Sequence, residues 1–240
     1  MFYEFLSNAD TALTVQFERK ISDEVNGFVT ALAAVIEDKK ISGVIELIPT
    51  FTSLTVLYDC AVIRAGRLKE EISSLIDSMS VGGAKNAKIY NIPVCYDEQF
   101  SPDMGNVTEH TGLSRDEVIA LHTSKPYLIY MLGFLPGFAY LGGMDERLAT
   151  PRLKSPRLEI FEGAVGIGGS QTGIYPIASP GGWQLLGKTP VKVFDPSKEN
   201  PILYKAGDYI KFYPVTLEEY EKIEAKVRAG EYTPEITEAE

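Results

Sequence analysis

A chain of 240 residues, 45% hydrophobic and 23% charged, has the balance of a globular protein with a sizeable core, and its length favours two unequal domains. Its 33 acidic side chains outnumber 23 basic ones for a formal net charge of -10, which repels a phosphate backbone and argues against general nucleic-acid binding. Cys60 and Cys95 fall in strand-like stretches without CxxC spacing, so no disulfide framework or zinc site is indicated; MFYEFLSNAD lacks a basic region followed by an apolar run, so the expected compartment is the cytoplasm.

Residues 2 to 6 and 12 to 18 predict a hairpin around Ser7-Asn8-Ala9-Asp10, because both arms carry β-branched and aromatic residues. Val25, Phe28, Val29, Leu32 and Ile36 recur at three- and four-residue steps, predicting a helix over 22–37 with Ser22 as its N-cap and Lys39-Lys40 at its end. Strands follow at 43–48 and 53–58, then a second helix on the face of Leu68, Ile72, Leu75, Ile76 and Met79. The order ββαββα predicts a small α/β domain over 1–82, and the polar, glycine-containing SVGGAKNAK at 80–88 reads as a linker.

Beyond it, strands are expected at 88–95, 127–134, 160–167, 190–194 and 208–213, the pattern of a closed or sandwiched β structure over 88–215. The box Ser114-Arg115-Asp116-Glu117 opens a helix running to His122, and Thr216-Leu217-Glu218-Glu219 opens a last one; after Tyr232 an acidic tail is expected to be mobile, giving a C-terminal segment 216–240. Tyr127 to Met144 carries no charge and nears the length of a membrane span, but Pro136-Gly137 and Gly142-Gly143 favour a strand and a tight loop.

Four features are candidates for chemistry. GAVGIGGSQTG, residues 163–173, is either a set of turns or a polar nest in which backbone N–H groups, Ser170, Gln171 and Thr172 meet an anion or amide. Arg147, Arg152, Lys154 and Arg157 either clamp a carboxylate or phosphate or pair with Asp145, Glu146 and Glu159 in a solvated loop. His122 either caps its helix through the last carbonyls or takes a catalytic or binding role, whereas His110 reads as an exposed loop residue. Gly182 to Thr189, GWQLLGKT, has Walker A spacing, but Pro190 to Phe194 reads as a strand where a phosphate loop opens a helix. No HxxxH, GxSxG or metal-ligand cluster occurs.

Taken together, GFLPGFAYLGG, PRLKSPR, GGSQTGIYPIASPGGWQLLGKTP and the upstream VCYDEQFSPDMGNVTEHTGLSRDEVIALH resemble the B subunit of the bacterial 5-oxoprolinase, the KipI or allophanate hydrolase subunit 1 family. RLEIFEG departs from the small-residue turn usual there. The resemblance implies an α+β protein with a small α/β N-terminal domain and a cyclophilin-like β-barrel C-terminal domain. It implies a subunit that, with subunits A and C, opens 5-oxo-L-proline to L-glutamate at the expense of ATP, binding no cofactor of its own. Other members imply a carboxyltransferase-like or allophanate-pathway subunit, or a non-catalytic inhibitor of a sensor histidine kinase. Arg152, Arg157, Gln171, Thr172 and Ser179 are then the substrate-binding candidates and His122 the catalytic one. Phe138, Tyr140 and Trp183 are expected on a partner surface, with no metal, nucleic acid or membrane involved.

Overall fold

A computed structural model describes residues 2–79 and 87–239, which divide into two compact units, Met1–Lys85 and Asn86–Glu240. Most of the linker expected at 80–88 therefore lies outside the described residues. In the first unit, β1 (Tyr3–Ser7) and β2 (Ala12–Phe17) form a hairpin whose turn places Ala9 at φ 60. Helix α1 (Asp23–Lys39) starts where the Ser22 hydroxyl accepts from the Val25 N–H, and ends at Lys40 in the left-handed region. β3 (Val44–Pro49), β4 (Ser53–Tyr58) and α2 (Ala65–Ser78) follow, giving an antiparallel sheet in the order β1-β2-β4-β3. Val25, Val29, Leu32 and Ile36 from α1 and Leu68 and Ile72 from α2 are buried with Leu13, Val15, Leu54 and Val56 of the sheet. Each such burial contributes about 1.5–3 kcal/mol, and helix and strand periodicities converge on one core. Cys60 lies in the turn after β4, not in a strand.

The second unit is a barrel-like sheet with helices at its margins. Its elements are β5 (Lys88–Cys95), α3 (Met104–Thr111), α4 (Arg115–His122), β6 (Tyr127–Leu132), β7 (Ala139–Gly142), β8 (Arg157–Ile160), β9 (Ala164–Gly168), β10 (Gln171–Ile174), β11 (Ser179–Gly181), β12 (Gln184–Lys188), β13 (Tyr209–Val215), α5 (Leu217–Ala229) and β14 (Ile236–Glu238). The sheet runs β10-β9-β12-β5-β13-β6-β7, and its end strands β10 and β7 pack alongside each other without a ladder. β5 pairs in parallel with β13 on one edge, while β14 and β12 share the other. A separate ribbon, β8 with β11, lies outside that sheet.

Both capping boxes form as the sequence requires: Ser114 with Glu117 at α4, and Thr216 with Glu219 at α5. The charge-free stretch becomes β6, a tight turn and β7, and no helix among the described residues is long and apolar enough to cross a membrane. Four expectations are corrected. His110 belongs to α3 rather than a loop, although it is exposed. The strand expected at 160–167 breaks at a turn with Gly163 at φ 78, separating β8 from β9. Residues 190–194 contribute only the isolated bridge Phe194–Ile202: Pro190 opens the stretch without a donor, and the Val191 N–H turns back to the Thr189 hydroxyl. The acidic tail is not loose: Ile236, Thr237 and Glu238 register against Tyr90, Ile89 and Lys88.

Candidate functional site

The Walker-like string is mostly strand. Gln184 to Lys188 is β12, paired with β9, and the Leu185 N–H is taken by the Asp103 carboxylate, so the backbone lies along a sheet instead of being splayed around a phosphate. The glycine-dense run beside it has a different purpose from an anion nest. A Cβ on Gly168 would lie 2.3 Å from Trp183 Nε1, and one on Gly173 3.2 Å from Trp183 Cζ3, so bare backbone on β9 and β10 seats the indole.

Around that seat the rings form a box. Phe138 makes edge-on contacts with Phe134, Tyr140, Tyr175 and Trp183, with centroids 5.6, 5.2, 5.5 and 5.4 Å away. These five residues, with Arg152, Gly181 and Gly182, line a cavity of about 100 Å³. Phe138 and Trp183 are 2% and 4% exposed, so they are the inner wall of this cavity, not the partner surface expected of them; Tyr140 is half-buried. The exposed aromatic is Phe134, 64% accessible and held at φ 62, an uncommon conformation for a bulky side chain. Arg152 lies at the rim with its guanidinium carbon 5.9 Å from the Trp183 ring centroid. Among the described residues no carboxylate pairs with it.

Arg157 takes a different position. Its Nη2 donates to Asp103 Oδ1 at 2.6 Å, replacing the pairing with Glu159 that the sequence suggested. The buried Asp103 carboxylate also accepts from the Leu185 N–H at 2.7 Å, while Asn106 donates to Gln184 Oε1 and Gln184 Nε2 to the Pro151 carbonyl. This network ties α3, β8 and β12 behind the ring box. Arg157 Nη1 and Ser179 Oγ are buried and have no hydrogen-bond partner among the described residues. The other basic residues do not converge with them: Arg147 grips Asp145, and Lys154 is exposed.

His122 is enclosed. Thr172 Oγ1 donates to the Gly166 carbonyl at 3.0 Å, so it accepts from His122 Nε2–H at 2.7 Å, and His122 Nδ1 in turn accepts from the Tyr96 hydroxyl at 2.6 Å. Phe212 stacks on the imidazole at 4.7 Å. Burial pushes its pKa down to about 3, so the ring stays neutral and exchanges no proton near neutral pH. Its ring makes core hydrogen bonds instead of capping the α4 carbonyls, and it is fully buried and outside the lining of the cavity. The geometry therefore corrects the catalytic expectation. Thr172 belongs to this chain of bonds and not to the cavity; Gln171 is half-buried beside it, also outside the cavity lining.

Comparison with known proteins fixes the family. Residues 3–204 match the family described as carboxyltransferase domain, subdomain C and D. The chain is 44% identical over 229 residues to the 5-oxoprolinase B subunit of Bacillus subtilis, covering 91% of this chain and 95% of that protein. It is 38% identical to the protein of the same name from Escherichia coli O157:H7, covering 85% and 93%. The chain belongs to the family of 5-oxoprolinase B subunits. Urea carboxylase of Kluyveromyces lactis shares the fold, with a TM-score of 0.78 at 21% identity over 99% of this chain and 24% of that one.

For a member of this family, sequence reasoning located Arg152 and the glycine-tryptophan segment but missed Asp103, Asn106 and Tyr175. The clearest available signal was Tyr175, an aromatic two positions past the end of the glycine run. Asp103 carries none, because its partners Arg157 and Leu185 are 54 and 82 positions away. Among the described residues no group of three or more His, Cys, Asp or Glu side chains could hold a metal ion.

Proposed function

We propose that this chain is a subunit of an ATP-dependent 5-oxoprolinase that opens 5-oxo-L-proline to L-glutamate together with subunits A and C in the cytoplasm. The observation that carries the reading is the 44% and 38% identity, over nearly the full length of each relative, to two proteins named as the B subunit of 5-oxoprolinase. The chemistry fits a divided machine. A lactam is a poor electrophile, and transfer of the ATP γ-phosphoryl group to its amide oxygen releases ADP and activates the carbon. Water then adds, collapse breaks the ring C–N bond to leave an acyl phosphate, and a second water releases phosphate and glutamate. The phosphate-loop string is a strand and His122 is neutral and sealed, which supports assigning nucleotide binding and proton transfer to the partner subunits.

The test is copurification with the two candidate partners, followed by coupled measurement of ADP and glutamate. Turnover is expected only with the full set. Sustained turnover by the isolated chain, or none by a verified assembly, would sink the reading. The match to carboxyltransferase subdomains supports a second reading, carboxyl transfer within the assembly. Turnover strictly dependent on bicarbonate would favour it.

A further inference from the structure

The cavity bounded by Phe138, Tyr175 and Trp183 combines three properties on one face of the barrel. It is small: about 100 Å³ admits a single compact ring, whereas sites for drug-sized ligands run to roughly 300–1,000 Å³. Its floor is built from ring edges and faces, with Trp183 pressed onto β9 and β10 so closely that a Cβ on Gly168 would overlap the indole and one on Gly173 would crowd it at 3.2 Å. Its rim carries Arg152, whose guanidinium has no carboxylate partner among the described residues and stands over the Trp183 ring. Arg157 adds positive charge behind the wall: it registers opposite Gly181, which lines the cavity, and both arginines act electrostatically on the Tyr175 hydroxyl.

The turn that closes the cavity is itself unusual. Phe134 holds its exposed ring against Phe138 from a left-handed backbone, a strained conformation that persists only where the surroundings impose it. The adjacent Gly137 is excluded from carrying a Cβ, which would fall 2.9 Å from that of Phe194. Such strain places an aromatic at the mouth of a pocket otherwise formed by buried rings.

We propose that this chain contributes the substrate-recognition pocket: the rings pack on a five-membered lactam and Arg152 grips its carboxylate. The inference rests on the 5-oxoprolinase reading for the identity of the ring and on the cavity for its location. It replaces a shared anion site at Arg157, Gln171, Thr172 and Ser179 with one specificity-determining residue, Arg152. Arginine suits the task because its planar fork matches a carboxylate with two parallel hydrogen bonds, while the aromatic floor accepts any flat ring. Among rings compact enough to enter, charge then selects the substrate.

Trp183 is the chain's only tryptophan, so its emission reports on the cavity floor without any catalytic step. Titrating the full chain with 5-oxo-L-proline is expected to give a saturable fluorescence change, and 2-pyrrolidinone, which lacks the carboxylate, to bind at least tenfold more weakly. Arg152→Gln should weaken 5-oxo-L-proline binding by roughly ten- to a hundredfold, the loss expected for one charge-assisted pair, and leave 2-pyrrolidinone unaffected. Arg152→Lys should fall between. Because Arg152 is exposed, neither variant disturbs the core. Equal binding of the two ligands, an Arg152→Gln titration identical to wild type, or no saturable response overturns the pocket. In the assembled complex the same variant should raise KM for 5-oxo-L-proline with kcat retained. Turnover with an unchanged KM defeats the pocket but leaves the subunit reading standing; saturable binding without turnover by any assembly does the reverse.

Discussion

The His122 side of the barrel and the Trp183 side are both enclosed and both dense in hydrogen-bonding groups, but they are finished differently. Around His122 each side-chain partner is matched: Tyr96, the imidazole, Thr172 and the Gly166 carbonyl form one directed chain, and Tyr127 donates to the His122 carbonyl. Around Trp183 bonding capacity is left over among the described residues, in Arg157 Nη1, in Ser179 Oγ and in Arg152, which has no carboxylate partner there. A histidine invites a catalytic interpretation, yet here the histidine is structure. Recognition is better sought where a cation remains to be answered.

That contrast is open to measurement. The largest effect is expected from Arg157→Ala, which leaves the Asp103 carboxylate, only 4% exposed, with the Leu185 N–H, a long 3.5 Å bond from Asn106 Nδ2 and no cation. Removing one member of a fully buried pair costs about 3–5 kcal/mol; Arg157 keeps partial exposure, so about 2–3 kcal/mol in chemical denaturation is expected. A loss under about 1 kcal/mol would show that the Asp103 network is not structural and return Arg157 to the list of binding residues.

Next comes the pH dependence of the matched side. The unfolded chain protonates His122 around 6.5, whereas burial holds the folded ring neutral down to about 3. Between those values the unfolded state binds the extra proton, so stability falls as pH falls, by up to about 1.4 kcal/mol per unit. Thermal midpoints from pH 6.5 to 5, above the main carboxylate range, should therefore decline more steeply in the wild type than in His122→Gln. Parallel slopes would mean that the histidine is not sealed.

The smallest effect concerns Lys188, the lysine of the Walker-like string. Its ammonium lies 5.3, 5.6 and 5.7 Å from the centroids of Phe100, Phe161 and Tyr220, the last of them on α5. Lys188→Met should cost about 0.5–1 kcal/mol of stability and leave any nucleotide affinity of the chain unchanged. A selective loss of ATP binding would reinstate the phosphate-loop interpretation.

Much of the fold was legible because its signals are local. The ββαββα order, the Ser22 cap and both capping boxes depend on residues within one helical turn or one hairpin of each other. Helix α3 was not, because Asp103 stands at its N-cap position yet makes no capping bond; its carboxylate is committed to Arg157 and Leu185 instead. The ring box was half legible. GGW and GFAY flagged glycine beside aromatics, but whether Trp183 faces solvent depends on Gly168 and Gly173, which meet its indole only in the folded sheet, and Phe138 is walled in by that same indole. Arg152 could be named from its cluster, while its separation from Arg147 and Arg157 could not, since each of those answers to a different aspartate.

Strand β5 carries a further consequence, one of timing. It begins the second unit, yet its two edges are completed by β13, β12 and β14, whose residues lie from 93 to 150 positions downstream. The first unit needs no such wait, because every strand of its sheet is made within the first 58 residues. Closing long loops costs entropy before any contact offsets it, and synthesis delivers the strands in order. On the ribosome the α/β unit can therefore assemble while β5 is still an unpaired hydrophobic strand, so a translational pause before β13 would prolong the interval in which that strand is open to aggregation.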